Sequence, residues 1–482
     1  MDKKMNTIKK NFAYNAIYQI LVIILPIVTA PFVSRVLGPT KMGQYSYTYS
    51  IATYFLLIAK LGFDNYGNRS IARRRSSKGD LDKTFSGIYY LQFIIAFSIM
   101  CLYSIYVLFI SKYSTLALMQ GLWVLGALFD INWFFYGLEE FSIIILRNTL
   151  VKIISIVLIF CIVRGPNDLW KYTLILSASS VAGFLITWPF VFSKVKLVKI
   201  QLKEIFSHFR QTILLFIPVI AISVFTILDK IMLGYMSSFT QVGYFEAAEK
   251  VMMAPKGIIG ALGTVMLPRM ANLYSSGDNK NKRVFIDLSV GFALVFSIGC
   301  MFGIMGVAET FVPIFFGPKY LATTMILKIM AIVLPFYAIG NVVRTQLLIP
   351  NMRDKPYINS VLFGAIVNVT LNFVLIPKLG ARGTVIATIV AEIVIAVFQL
   401  LAVLRELKPN YFVMTVLYSL FSSGTMLFVI FLVKVILGNS LLSLLLQIVI
   451  GGMTFAITFI LISSKSRDVI STKMVNTIIR KK

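Results

Sequence analysis

A single lysine stands in the middle of a long apolar stretch of this chain. Residues 252–270 read MMAPKGIIGALGTVMLPRM, so that Lys256 lies between Pro255 and Gly257. A lysine held away from water binds the oxygens of a phosphate through charge-assisted hydrogen bonds. Pro255 removes one helix hydrogen bond beside it. The stretch therefore indicates an anion-binding position next to a point where a helix can bend.

Other charged residues also fall within apolar stretches long enough to cross a bilayer. A charge at bilayer depth costs roughly 3 kcal/mol, so each one needs a structural or functional reason. Glu246 and Lys250 stand four residues apart on a predicted helix and are expected to pair. The candidates for a cationic binding site are Lys256, Arg344, Lys152, Lys230 and Lys250. The candidates for ion coupling or for charge partners are Asp229, Glu249, Asp130 and Glu392.

The sequence holds no motif for bond-making chemistry. It lacks the Gly-x-x-x-x-Gly-Lys-Ser/Thr loop that cradles ATP phosphates. It has one histidine, and its three cysteines are far apart in sequence, so no metal or redox site is indicated. We therefore predict that the protein is not an enzyme and that it uses no cofactor or metal.

The composition defines the elements that must position these charges. Of 482 residues, 58% are hydrophobic and only 13% are charged, about half the charged fraction of a soluble domain. Apolar runs such as 17–33 and 443–462 are long enough for a hydrocarbon core of ~30 Å. The chain is thus predicted to be an all-α polytopic membrane protein. We expect fourteen transmembrane helices, at 12–34, 42–62, 84–108, 114–137, 142–163, 171–193, 212–236, 243–268, 284–307, 322–348, 357–377, 383–404, 411–435 and 441–463.

The basic residues orient these spans. With the N-terminus in the cytoplasm, 30 of the 46 Lys and Arg residues fall on the cytoplasmic side and 9 on the outer side, as the positive-inside rule expects. Arg147 is counted here as cytoplasmic. The net charge of +27 is therefore read as a topology signal and as contacts with membrane lipids, not as nucleic-acid binding. Both termini are predicted to be cytoplasmic in a multi-pass plasma-membrane protein.

A weak internal repeat suggests two similar halves. Gly43 and Gly243 align at an offset of 200 residues, as do Arg69 and Arg269. An even number of spans per repeat makes the two halves parallel, and such repeats place a transport site between them. We predict two six-helix lobes around a central cavity, with two further helices at the C-terminus. The predicted segments are an N-lobe at 1–193, an amphipathic cytoplasmic linker at 194–211, a C-lobe at 212–404, and spans 13–14 with a basic cytoplasmic tail at 405–482.

Two segments resemble a known family. SRVLGPTKMGQYSYTYSIATYFLLIAKLGFDNYGNRSIARRR (34–75) resembles the opening of polysaccharide flippases of the Wzx type, and DINWFFYGLEEF (130–141) is similar to their fourth-span signature. These flippases belong to the MOP exporter superfamily, with the lipid II flippases and the multidrug MATE exporters. The resemblance covers the whole chain.

The resemblance implies a flippase for undecaprenyl-diphosphate-linked oligosaccharide repeat units, moved from the inner to the outer leaflet of a bacterial plasma membrane by alternating access. The product would be a capsule or O-antigen polysaccharide, and the polysaccharide polymerase and assembly machinery are expected partners. Two alternatives stay open, a lipid II flippase and a cation-coupled multidrug exporter of the same superfamily. The sugar, the polymer and the coupling ion are not indicated by the sequence.

Overall fold

A computed structural model describes the backbone of residues 2–407 and 412–465, and the side chains of residues 28–214, 216, 220, 223, 227–407 and 412–464. Helices dominate the described part of the chain, in which no strand occurs. The all-α architecture predicted from composition is thereby confirmed. The predicted basic tail beyond residue 465 lies outside the described residues.

The chain divides into two compact units, Met1–Gly234 and Tyr235–Lys482, called here the N-terminal unit and the C-terminal unit. The predicted lobe and linker boundaries stay a prediction. The helices of the N-terminal unit are α1 (Asp2–Lys60), α2 (Phe63–Arg74), α3 (Lys78–Phe109), α4 (Ser114–Leu125), α5 (Asn132–Gly137), α6 (Phe141–Ile162), α7 (Leu169–Phe192), α8 (Leu202–Ser207) and α9 (Phe209–Met236).

The described residues of the C-terminal unit form eight α-helices and one π-helical turn. The α-helices are α10 (Phe239–Ser276), α11 (Asn279–Phe315), α12 (Thr323–Ala331), α13 (Val333–Val342), α14 (Asp354–Leu379), α15 (Ala381–Val403), α16 (Val413–Leu437) and α17 (Leu441–Lys465). The π-helical turn, Val343–Leu348, follows α13 directly.

Eleven helical segments within the described residues are long and apolar enough to cross a membrane. They match predicted spans 3–6 and 8–14. The remaining predicted spans fall on α9 and on α1, whose 59 residues would extend ~88 Å at 1.5 Å per residue, far more than one bilayer needs. Gly38 interrupts α1 with a φ of 76° and a ψ of 170°. Only glycine adopts this conformation at little cost, so α1 is two helices that meet at Gly38.

The core of the N-terminal unit is built around the DINWFFYGLEEF segment. Trp133, Phe134 and Phe135 are fully buried there, and the Trp133 indole Nε1 donates to the side-chain oxygen of Gln92 at 2.8 Å. Gly67 on α2 lies against that indole, because an added Cβ would approach Trp133 to 2.5 Å. Trp133 thus packs against α2 and hydrogen-bonds α3, so that this segment holds both helices in the core of the unit.

Asp130, one of the predicted coupling or partner residues, has a structural position. Its carboxylate is 1% exposed and lies 2.5 Å from the Lys60 ammonium, which also contacts Asp64 at 3.1 Å. The other Asp130 oxygen accepts the Asn132 backbone N–H at the start of α5. Asp130 therefore joins the end of α1 to the beginning of α5.

The segment after α7 is docked against the N-terminal unit. The backbone N–H of Lys196 donates to Asp82 on α3, and that of Val198 donates to Ser86. Further along, the Tyr66 hydroxyl and the His208 Nδ1 are 2.5 Å apart. The predicted linker is therefore held by hydrogen bonds to α2 and α3, in addition to its amphipathic pattern.

Within the C-terminal unit, Glu309 links three helices. Its carboxylate on α11 pairs with Lys328 on α12 at 2.6 Å and with Lys434 on α16. These two ion pairs help to fix α16 to α11 and α12.

Candidate functional site

Lys256 lies in the middle of α10, which runs through Pro255 as one helix of 38 residues. The lysine is half-buried, and its Nζ lies 5.4 Å from the centroid of the Tyr337 ring on α13. This distance is within the range of a cation–π interaction. No atom lies within 4 Å of a Cβ added at Gly257, so the helix borders open space beside Lys256. The lysine is therefore placed against an aromatic ring, next to room for a ligand.

Arg344 approaches the same ring from the π-helical turn. Its guanidinium Cζ lies 5.7 Å from the Tyr357 ring centroid, and the guanidinium also interacts electrostatically with the Tyr337 hydroxyl. A π-helical turn inside an α-helix frequently marks a functional position. Tyr337 is consequently near both Lys256 and Arg344, the two leading cationic residues that the sequence indicated.

Glu392 on α15 completes this group, which we call the cationic cluster: Lys256, Arg344, Tyr337, Asn341 and Glu392. The Glu392 carboxylate interacts electrostatically with both cations. Among the described residues, however, none of the three forms an ion pair within 4 Å. Glu392 thus compensates part of the positive charge without forming an ion pair with either residue. The hydrogen-bond donors of Lys256 and Arg344 therefore remain available to an anion.

A close helix contact sets the geometry of the cationic cluster. A Cβ added at Gly263 on α10 would lie 2.6 Å from the Asn341 Oδ1 and 3.0 Å from Thr345. A larger residue there would require the side chains of Asn341 on α13 and Thr345 on the π-helical turn to shift. Gly263 therefore permits the approach that places Lys256 and Arg344 on the same tyrosine.

Lys250, also on α10, has a different environment. It pairs with Glu246 at 2.8 Å, as the four-residue spacing predicted, and Glu249 is half-buried on the same helix. On α9, Asp229 is 2% exposed and interacts electrostatically with Tyr54. Lys230 is half-buried beside it. These residues lie outside the cationic cluster.

Lys152 belongs to the N-terminal unit, whereas the cationic cluster belongs to the C-terminal unit. It lines a cavity of about 350 Å³ between α6 and α7, called here the N-terminal cavity. The cavity is lined by Thr29, Trp123, Arg147, Asn148, Val151, Lys152, Ser155, Ile156, Ile159, Tyr172, Leu176, Ser179, Ser180, Gly183 and Phe184.

Arg147, which was counted with the cytoplasmic charges, lies near the start of α6, and its side on the membrane stays a prediction. Arg147 lies within α6, 6% exposed, and its Nε and Nη2 donate to the Asn148 Oδ1 at 3.1 and 2.6 Å. Its Cζ lies 5.3 Å from the Phe184 ring centroid.

Comparison with known proteins relates this architecture to membrane transporters. A Shigella dysenteriae protein named "Putative O-antigen transporter" is 23% identical over 386 residues, which cover 79% of this chain and 96% of that protein. An Escherichia coli (strain K12) protein of the same name is 24% identical over 404 residues, covering 80% and 95%.

The fold is similar to that of the lipid II flippase MurJ in an inward closed conformation. The TM-score is 0.76 at 18% identity, and the match covers 93% of this chain and 98% of that one. The family described as Polysaccharide biosynthesis protein matches residues 8–274, more than half of the chain. The chain therefore belongs to the polysaccharide biosynthesis protein family, which confirms its resemblance to Wzx-type flippases of the MOP exporter superfamily.

Proposed function

We propose that this protein is a flippase that moves undecaprenyl-diphosphate-linked oligosaccharide repeat units from the inner to the outer leaflet of a bacterial plasma membrane. The family match and the two relatives named as O-antigen transporters support a lipid-linked saccharide as the substrate. The exported polymer would be of the O-antigen or capsule type. Both termini would face the cytoplasm. The polysaccharide polymerase and the assembly machinery would be partners of the protein.

The cationic cluster is the observation that carries the proposal. Lys256 lies over the Tyr337 ring and Arg344 interacts electrostatically with the hydroxyl of the same residue, and open space adjoins Lys256 at Gly257. A diphosphate offers several anionic oxygens to an ammonium and a guanidinium, with charge-assisted hydrogen bonds worth about 1.5–3 kcal/mol each. The lipid tail would remain in the bilayer while the diphosphate is held by the two cations.

The direction of movement follows from charge. Moving one charge through 100 mV is worth ~2.3 kcal/mol, so a diphosphate with two negative charges is driven outward by roughly 4–5 kcal/mol at an inside-negative potential of that size. The emptied cationic site is drawn back inward by the same field. Transport would then need no ATP, and the site would open alternately to the two sides of the membrane.

Sodium or proton coupling would require a titratable group at the site. Glu392 interacts electrostatically with Lys256 and Arg344, whereas Asp130 pairs with Lys60. A multidrug exporter for cationic drugs would need the opposite balance of charge. The two cations beside Tyr337 therefore favour an anionic substrate.

The experiment that tests the proposal compares two lipids in one reconstituted system. Purified protein in liposomes would be given a fluorescent undecaprenyl-diphosphate oligosaccharide or fluorescent lipid II, with exposure to an outside quencher as the readout. We expect the oligosaccharide lipid to be flipped much faster than lipid II. Faster flipping of lipid II would assign the chain to cell-wall synthesis, and movement of neither lipid would contradict the proposal.

A further inference from the structure

The N-terminal cavity lies among helices long and apolar enough to cross a membrane, and part of its lining is polar. Its volume of about 350 Å³ is at the lower end of the 300–1,000 Å³ range of small-ligand sites. Polar side chains from two helices face it, with Asn148 on α6 and Ser179 and Ser180 on α7. Polar groups among such helices indicate a water-filled or ligand-filled space, not a lipid contact.

The charged residues that line this cavity are both positive. Lys152 and Arg147 are present, and no carboxylate occurs among the described residues that line it. Asn148 fixes the guanidinium through two hydrogen bonds, so its position is set before a ligand arrives. Two positive groups that line one cavity attract an anionic group, which both can approach with charge-assisted hydrogen bonds.

The remaining lining favours a saccharide over a bare phosphate. The Trp123 ring packs edge-on against Tyr49 at 5.5 Å, and Tyr172 packs edge-on against Tyr45 at 5.0 Å. Within the described residues the buried Trp123 Nε1 has no hydrogen-bond partner. Aromatic faces accept the apolar face of a sugar ring, while the indole N–H and the serine hydroxyls can bond its hydroxyl groups. A phosphate has no apolar face to use such rings.

We propose that the N-terminal cavity binds an acidic saccharide, namely a sugar ring that carries a carboxylate, with Lys152 and Arg147 facing the carboxylate and Trp123 and Tyr172 facing the ring. The inference rests on the proposed function in that it takes this sugar to be part of the lipid-linked substrate. It also separates two roles: the cationic cluster recognises the diphosphate, whereas Lys152 recognises the saccharide.

The first test uses free disaccharides, so that no lipid is involved. Full-length protein in nanodiscs would be titrated with glucuronosyl-glucose or with the neutral disaccharide cellobiose, and binding would be followed by saturation-transfer NMR. We expect the acidic disaccharide to bind at least tenfold more tightly to the wild type. Equal affinity for the two disaccharides in the wild type would overturn the inference.

Three variants assign the preference to the cavity. Lys152→Gln should reduce the preference to less than threefold, while Lys171→Gln should retain it, because Lys171 pairs with Asp168 outside the cavity. Ser180→Leu fills the cavity and should abolish binding of both disaccharides. An unchanged preference in Lys152→Gln would overturn the inference, provided that the thermal unfolding midpoint of this variant matches that of the wild type. If the midpoint of Lys152→Gln is lower, retained binding of both disaccharides by Ser180→Leu would overturn the inference instead.

A second test separates this inference from the proposed function. Polyprenyl-diphosphate disaccharides with and without the carboxylate would be compared in the liposome assay, where we expect Lys152→Gln to slow only the acidic lipid. If neither lipid is flipped but the free acidic disaccharide still binds, the proposed function fails and the cavity assignment stands. If both lipids are flipped equally by the wild type and by Lys152→Gln, the cavity assignment fails and the proposed function stands.

Discussion

At the scale of single residues, the intramembrane charges divide by their partners. Lys250 and Lys328 each lie against a carboxylate, at 2.8 and 2.6 Å. Lys256 and Arg344 lie over tyrosine rings instead. An ion pair neutralises a charge within the protein, whereas a cation–π contact leaves most hydrogen-bond donors open. The difference indicates that Lys256 and Arg344 have hydrogen-bond donors available to an anion.

Glu392 competes with the substrate for the same cations. We expect Glu392→Gln to tighten binding of an undecaprenyl-diphosphate oligosaccharide about tenfold, or ~1.4 kcal/mol, because a negative charge beside the diphosphate is removed. Binding to detergent-solubilised protein by isothermal titration calorimetry measures this change. Glu139→Gln is the control, since Glu139 pairs with Arg75 and is 60% exposed. Weaker binding in Glu392→Gln would show that Glu392 supports the site in another way.

The Lys60–Asp130 pair should contribute to stability. Asp130→Asn leaves the buried end of Lys60 with Asp64 alone, so we expect a loss of about 1–3 kcal/mol in unfolding free energy. Asp64→Asn should cost less than about 1 kcal/mol, because Asp64 is 49% exposed and exposed pairs contribute little. Thermal unfolding in detergent would compare the two variants. Equal losses would mean that burial does not decide the strength of this pair.

At the scale of elements, the contact between α10 and the π-helical turn determines the cationic cluster. Gly263→Ala places a methyl group 2.6 Å from Asn341, and we expect such overpacking to destabilise the protein by about 1–3 kcal/mol. Gly257→Ala on the same helix meets nothing within 4 Å and should be neutral or slightly stabilising. Thermal unfolding of both variants checks this contrast, and a stable Gly263→Ala would mean that the two elements can separate freely.

The docked segment after α7 should respond to pH through His208. Burial, with the nearby Arg74 guanidinium, lowers the pKa of His208, so the folded state favours the neutral imidazole. The stabilisation is complete above the ordinary pKa of about 6.5 and is lost as the pH falls through that value, since the unfolded chain then binds the proton more readily. We expect the midpoint temperature of unfolding to decrease when the pH is lowered from 7.5 to 5.5. The decrease should be smaller in His208→Gln. An identical pH profile in the variant would contradict this account.

Element boundaries show what hydropathy can and cannot predict. Eleven of the fourteen predicted spans match the apolar helical segments of the described residues, because each of these segments is a continuous apolar run. The Lys250–Glu246 pair followed from helical spacing. By contrast, Lys60 and Asp130 are 70 positions apart, and nothing in either local sequence indicates that they meet. The burial of Arg147 could not be predicted either, because it depends on the packing of α6 on α7.

At the scale of the whole molecule, the account predicts electrical driving of transport. We expect net flipping of a diphosphate lipid to slow several-fold when the membrane potential is collapsed and the pH gradient is held constant, because two negative charges gain roughly 4–5 kcal/mol per 100 mV. Liposomes with a valinomycin-set potassium potential allow this measurement. A rate that does not depend on the potential would require another source of energy, such as an ion gradient.

The central claim is that Lys256 and Arg344 hold the diphosphate. The most direct measurement is flipping of a fluorescent undecaprenyl-diphosphate oligosaccharide in liposomes by the wild type, Lys256→Gln, Arg344→Gln and the exposed control Lys378→Gln. The account predicts a loss of about 10- to 100-fold for each of the first two variants, as expected when one charge-assisted contact is removed, and a rate near that of the wild type for the control. Wild-type rates in Lys256→Gln and Arg344→Gln, with folding intact, would contradict it.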